Sequence, residues 1–214
     1  KGINRNCERK ETDIEWIGEV PSHWDIVPLL KVCDNIKEKN IDQEETVLTL
    51  SYGNLKVRDV EKNFGLLPDS FDTYQRIRPG YIVMRLLDLQ NDKKSLRVGH
   101  SYLDGIITPV YVSLKCKNEM NTEYLYYFLH NCDVKKVFYS LGGGLRQTLR
   151  FEEFKRFFLT LPPIEEQVEI VNRIKKEIKK IDLNILSEEN RIQLLNEFKY
   201  SLISEVVTGT KRLI

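Results

Sequence analysis

From Ile164 to about Val207 the apolar residues recur at steps of three and four. They are Val168, Val171, Ile174, Ile178, Ile181, Ile185, Ile192, Leu195, Phe198, Leu202 and Val206, with one gap of seven across Glu188. This spacing predicts one long helix with a narrow coiled-coil seam rather than the broader stripe of a globular surface helix. Pro162 and Pro163 mark its entry and Glu165 and Glu166 suit its positive end. No proline or glycine interrupts the run before Gly209. A helix of that length spans on the order of 65 Å, more than the preceding residues can cover with a core. It is therefore expected to pair with another long helix, with Val171, Ile174, Ile178, Ile181, Ile185, Ile192 and Leu195 in the seam.

The chain upstream of Pro163 carries a different pattern. Short runs of β-branched and aromatic residues, punctuated by Gly and Pro, predict strands at Thr46–Leu50, Leu55–Val57, Tyr81–Leu86, Leu96–Tyr102 and Val110–Leu114. DIVPLLKV, which follows Trp24, reads as one extended run. Two amphipathic helices are expected between Thr122 and Ser140, and FEEFKRF (Phe151–Phe157) reads as a third, with acids in its first turn. The fold class is α+β: a globular domain with a mixed or antiparallel sheet and short helices over 1–161, then the long helix over 162–214.

Composition narrows the function classes. Lys and Arg number 33 against 32 Asp and Glu, a net charge of +1 that argues against strong non-specific DNA binding by this chain alone. Cys7, Cys33, Cys116 and Cys132 are scattered without a C-x-x-C pair, so neither a zinc site nor a disulfide framework is expected. No apolar run reaches membrane-span length, and a cytoplasmic location with reduced thiols follows as the expectation. P-loop, dinucleotide and nucleophile-elbow patterns are absent, and His23, His100 and His130 stand apart from one another. We therefore expect no catalytic residue, no cofactor and no metal.

Two polar stretches remain. Between Arg85 and His100 the chain leaves a strand, crosses Gln90, Asn91, Lys93 and Lys94, and re-enters a strand past Arg97. Asn and Gln can read adenine edges, and Arg and Lys can read guanine or phosphate. A solvated hairpin loop would have much the same composition. The second stretch places Gly142, Gly143 and Gly144 before Arg146, Gln147 and Arg150. Adjacent glycines suit a backbone held close to a polyanion, or a simple surface turn.

Five ordered stretches carry a family resemblance: IEWIGEVPSHW (Ile14–Trp24), RLLDLQNDKKSLR (Arg85–Arg97), GGGLRQTLRFEEFKRF (Gly142–Phe157), LPPIEEQVEIVNRIKKEIKKID (Leu161–Asp182) and SLISEVVTG (Ser201–Gly209). Together they resemble the specificity subunit of bacterial type I restriction–modification systems. Such subunits usually carry two target-recognition domains, each followed by a long helix, with the two helices antiparallel. The resemblance implies a non-catalytic chain that reads one half of a split double-stranded DNA target. It also implies methyltransferase subunits bound around the helices and a motor–nuclease subunit joining for cleavage. The long helix would pair with a second specificity half or with a copy of itself. The expected DNA-facing residues are Gln90, Asn91, Lys93, Lys94, Arg97, Gly143, Arg146, Gln147 and Arg150. KGIN at Lys1 resembles the junction after the central helix of two-domain members, so the chain reads as a second half or a natural half-subunit. Two other readings stand beside this one: the recognition module of a single-chain restriction–methylation enzyme, and a coiled-coil assembly protein that does not bind DNA.

Overall fold

The structure, a computed structural model, describes residues 7–59, 70–89, 96–141 and 148–210. The chain divides into two compact units, Lys1–Ile170 and Val171–Ile214.

The first unit is built from short antiparallel pairings. Strand β1 (Arg9–Lys10) pairs with β2 (Val20–Pro21), and β3 (Asp25–Pro28) leads into a single helical turn, α1 (Leu29–Val32). Strands β4 (Cys33–Asn35), β5 (Leu48–Ser51), β6 (Asn54–Val57), β7 (Gln75–Ile77), β8 (Ile82–Met84), β9 (Val98–His100), β10 (Gly105–Ile107) and β11 (Val112–Cys116) follow. The four-stranded sheet has the order β4-β11-β8-β9; β5 pairs with β6, and β10 with β7. Helix α2 (Thr122–Val134), a 3-10 turn (Val137–Ser140) and helix α3 (Phe151–Phe154) come next. Strand β12 (Phe158–Leu161) then returns to pair with β3 and opens into α4 (Ile164–Val207).

Local chemistry explains these boundaries. Asn121 caps α2 by accepting from the Tyr124 N–H at 3.0 Å, and Glu123 sits at the positive end. The buried face of α2 carries Tyr124, Leu125, Leu129 and Cys132 at helical spacing. Phe138, Phe154 and Phe157 form an aromatic cluster beneath, the first two meeting edge to face with centroids 5.5 Å apart. Gly105 is required at its place in β10, because a Cβ there would stand 2.5 Å from the Thr46 carbonyl oxygen.

The extended reading of DIVPLLKV holds only to Pro28. Leu29–Val32 instead forms a helical turn, because Leu29 and Leu30 donate to the carbonyls of Phe157 and Lys155 at 2.8 and 3.0 Å. Leu29 and Val32, three residues apart, are thereby both buried. The short strands β7, β10 and β12 also form where the apolar pattern gave no signal.

The second unit continues α4, whose bounds match the sequence pattern. Val171 is only 2% exposed. Ile178, Ile181, Ile185, Ile192 and Leu195 are 41 to 58% exposed, while Ile174 is half-buried.

Candidate nucleic-acid interface

The loop between β8 and β9 is held at its stem by one buried arginine. Arg85 donates its N–H to the Arg97 carbonyl at 2.9 Å, continuing the β8–β9 pairing outward. The Arg97 guanidinium then turns inward. Its Nη1 donates to the carbonyls of Leu87 and Arg85, its Nη2 donates to the Asp88 carbonyl at 2.9 Å, and its carbon lies 5.6 Å from the Tyr139 ring centroid. The Arg97 backbone N–H donates to Oδ2 of Asp133 on α2. Asp88 takes a left-handed conformation at φ 52°, which lets the carbonyls on this stem converge on one guanidinium. Burial pushes the Asp133 carboxyl above the usual range, and the Arg97 N–H pulls it part of the way back.

This geometry corrects one expected contact. Arg97 has no exposed surface, so it acts as a tether inside the domain rather than as a donor to a ligand outside it. A sequence cannot distinguish the two, since a loop-flanking arginine looks alike in both roles.

The second polar stretch rejoins the structure beside the first. The Leu149 N–H donates to the Leu86 carbonyl at 3.0 Å, so the stems of the two stretches meet. Arg150, next along the chain, is exposed and precedes α3, with its N–H donating to Glu153 Oε2 at 3.2 Å. Arg58 and Arg85 line a shallow cleft of about 370 Å3 with Thr49 and Thr108. Gln90, Asn91, Lys93, Lys94, Gly143, Arg146 and Gln147 lie outside the described residues.

The PPIEEQ segment has a structural role that sequence spacing did not reveal. Gln167 is fully buried; its Oε1 accepts from the Asn121 N–H at 2.8 Å, and its Nε2 donates to the carbonyls of Pro162 and Glu119 at 2.8 and 3.1 Å. The Glu166 carboxylate accepts from the Trp24 indole at 3.0 Å and lies 2.8 Å from the His23 ring. Both residues anchor the first turns of α4 within the first unit. Among the described residues no group of three or more His, Cys, Asp and Glu could hold a metal ion, and no helix is long and apolar enough to cross a membrane.

The α+β domain brings two polar loop stems together and is followed in sequence by a 44-residue helix. Residues 109–194 match the type I restriction modification DNA specificity domain. No curated protein matches the chain. The fold is shared with a chain from a structural study of the assembly and conformational transition of a type I R-M system. That likeness has a TM-score of 0.59 and 18% identity, and covers 87% of this chain and 46% of the other. It is shared also with the HsdS subunit from Thermoanaerobacter tengcongensis, with a TM-score of 0.53, 16% identity and coverage of 82% and 41%. The S subunit of a type I system from M. genitalium aligns with a TM-score of 0.50 and 16% identity, over 94% of this chain and 47% of that one. The chain thus spans under half the length of these structures.

Proposed function

We propose that this chain reads one half of a split DNA target for a type I restriction–modification complex and is itself non-catalytic. The observation that carries the reading is the Leu149–Leu86 bond, which sets the stems of two polar, cation-bearing stretches side by side in a chain whose residues 109–194 match a type I DNA specificity domain. Residues 1–161 form the recognition domain in this reading, and 162–214 form a spacer helix. The rod pairs antiparallel with a second such helix and holds methyltransferase subunits, with a motor–nuclease subunit joining for cleavage. Near-neutral net charge fits a chain that binds DNA only in such an assembly.

Gel shifts with the methyltransferase subunit present test it. Charge reversal at Lys93, Lys94 or Arg146 should weaken binding of the assembled complex. Loss of a phosphate contact lowers affinity across sequences and reduces the salt slope by about one unit. Loss of a base contact costs ~1–3 kcal/mol and relaxes one target position. Unchanged binding in all three variants would move the surface elsewhere. Methyl transfer by the purified chain alone would refute the non-catalytic role.

A further inference from the structure

The seam of α4 follows a heptad in which Val171, Ile178, Ile185, Ile192 and Val206 share one position and Ile174, Ile181, Leu195 and Leu202 share the other. Two charges interrupt it. Glu188 occupies a place in the second set and Lys199 a place in the first. Glu188 is exposed, 3.8 Å from Arg191 one turn on, and the Lys199 ammonium lies 5.5 Å from the Tyr200 ring centroid. Neither arrangement takes the charge out of the seam. A charged residue at a seam position costs stability and selects register and orientation.

We infer that Glu188 and Lys199 are a register key, and that the occupant of this seam is a second copy of the same chain, antiparallel, with Glu188 of each copy against Lys199 of the other. Charge complementarity carries the argument. A parallel, in-register pair sets Glu188 against Glu188 and Lys199 against Lys199, burying like charges twice. An antiparallel pair with Glu188 opposite Lys199 leaves apolar partners in the layers between and beside them. Ile192 then faces Leu195, Ile185 faces Leu202 and Ile181 faces Val206. A shift of one heptad puts Glu188 against Ile192 and Lys199 against Ile181. The opposite shift puts them against Val206 and Leu195. Either shift buries four uncompensated charges per pair. Only one register matches both charges. It overlaps residues 180–207 of each copy, roughly 42 Å of helix, and covers Ile181, Ile185, Ile192 and Leu195, all more than half exposed in the single chain.

This inference rests on the pairing part of the reading above and not on DNA recognition. Its test therefore uses the full chain without DNA, by sedimentation at micromolar concentration. The unmodified chain should be a dimer. Glu188→Lys and Lys199→Glu should each raise the concentration of half-dissociation by at least about tenfold. Far-ultraviolet circular dichroism should show the helix retained, since both exchanges swap good helix formers. The double variant Glu188→Lys/Lys199→Glu should return to within about threefold of the unmodified chain. An equimolar mixture of the two single variants should form heterodimers, since each charge again meets its opposite. Single variants that dimerise as well as the unmodified chain would overturn the key, as would a double variant as weak as the singles. A monomeric unmodified chain, or one that associates only when the methyltransferase subunit is added, would overturn self-pairing while leaving DNA recognition standing.

Discussion

The backbone N–H of Leu149 donates to the carbonyl of Leu86 at 3.0 Å. That bond ties the residue following the glycine-rich stretch to the residue where the β8–β9 loop leaves its strand. The described ends of the two stretches are thereby joined directly.

Arg97→Met deletes the donors to the carbonyls of Arg85, Leu87 and Asp88. These carbonyls are partly buried, so each left unpaired costs up to about 1–3 kcal/mol, less where the loop relaxes toward water. We expect a lower melting temperature and faster amide exchange confined to the ends of the 85–97 loop. In the assembled complex, sequence preference should fall more than affinity for random DNA. Unchanged exchange in that loop would remove Arg97 from its tethering role.

Asp133 gives a pH signature. Its folded carboxyl is raised above the ordinary value by burial. Between the unfolded and folded values the native state therefore holds more protons, so stability falls as pH rises through that window. Asp133→Asn keeps an oxygen to accept from the Arg97 N–H but never ionises. It should flatten that slope and leave stability at neutral pH equal or higher. Asp133→Leu should destabilise, because the Arg97 N–H is then orphaned. A steeper slope in the Asn variant would contradict the assignment.

Gln167→Leu tests the root of the rod. The substitution orphans the Asn121 N–H and the carbonyls of Glu119 and Pro162. Pro162 is buried and Asn121 partly so, and at up to about 1–3 kcal/mol for a buried group left unpaired thermal unfolding should move below that of the unmodified chain. Gln167→Glu, able to accept but not donate, should fall between the two. Equal melting of all three would show the amide to be dispensable.

Gly105→Ala asks whether β10 tolerates a single methyl. The added Cβ would meet the Thr46 oxygen at 2.5 Å and Leu48 Cγ at 2.9 Å, and a backbone oxygen cannot swing aside. Overpacking of this kind costs about 1–3 kcal/mol, read as a lower denaturant midpoint.

The rod was legible in the sequence because its signal is local: breaker-free spacing and acids after two prolines suffice to bound Ile164–Val207. Strands rich in β-branched residues were also visible, with ends displaced by a residue or two. What the pattern hid depends on distant partners. QRI at Gln75–Ile77 looks polar yet is wholly buried. Gln75 donates to the carbonyls of Thr108 and Tyr111, and Arg76 pairs with Glu44 and Asp104. Arg97 misled for the same reason, since its carbonyl partners and Asp133 are set by the fold. The buried amide of Gln167 shows the converse, a motif visible as letters whose role appears only through three backbone partners.

Sequence recognition by the assembled chain, as proposed, can be measured without knowing the target. The most direct measurement mixes the full chain and its methyltransferase subunit with a pool of random-sequence duplexes, recovers the bound fraction and sequences it. A single short motif should emerge. Replacing residues 90–95 with glycine and serine should abolish or change the motif while the rod still pairs. A bound pool with no enriched sequence, or the same motif after the replacement, would contradict recognition through this site.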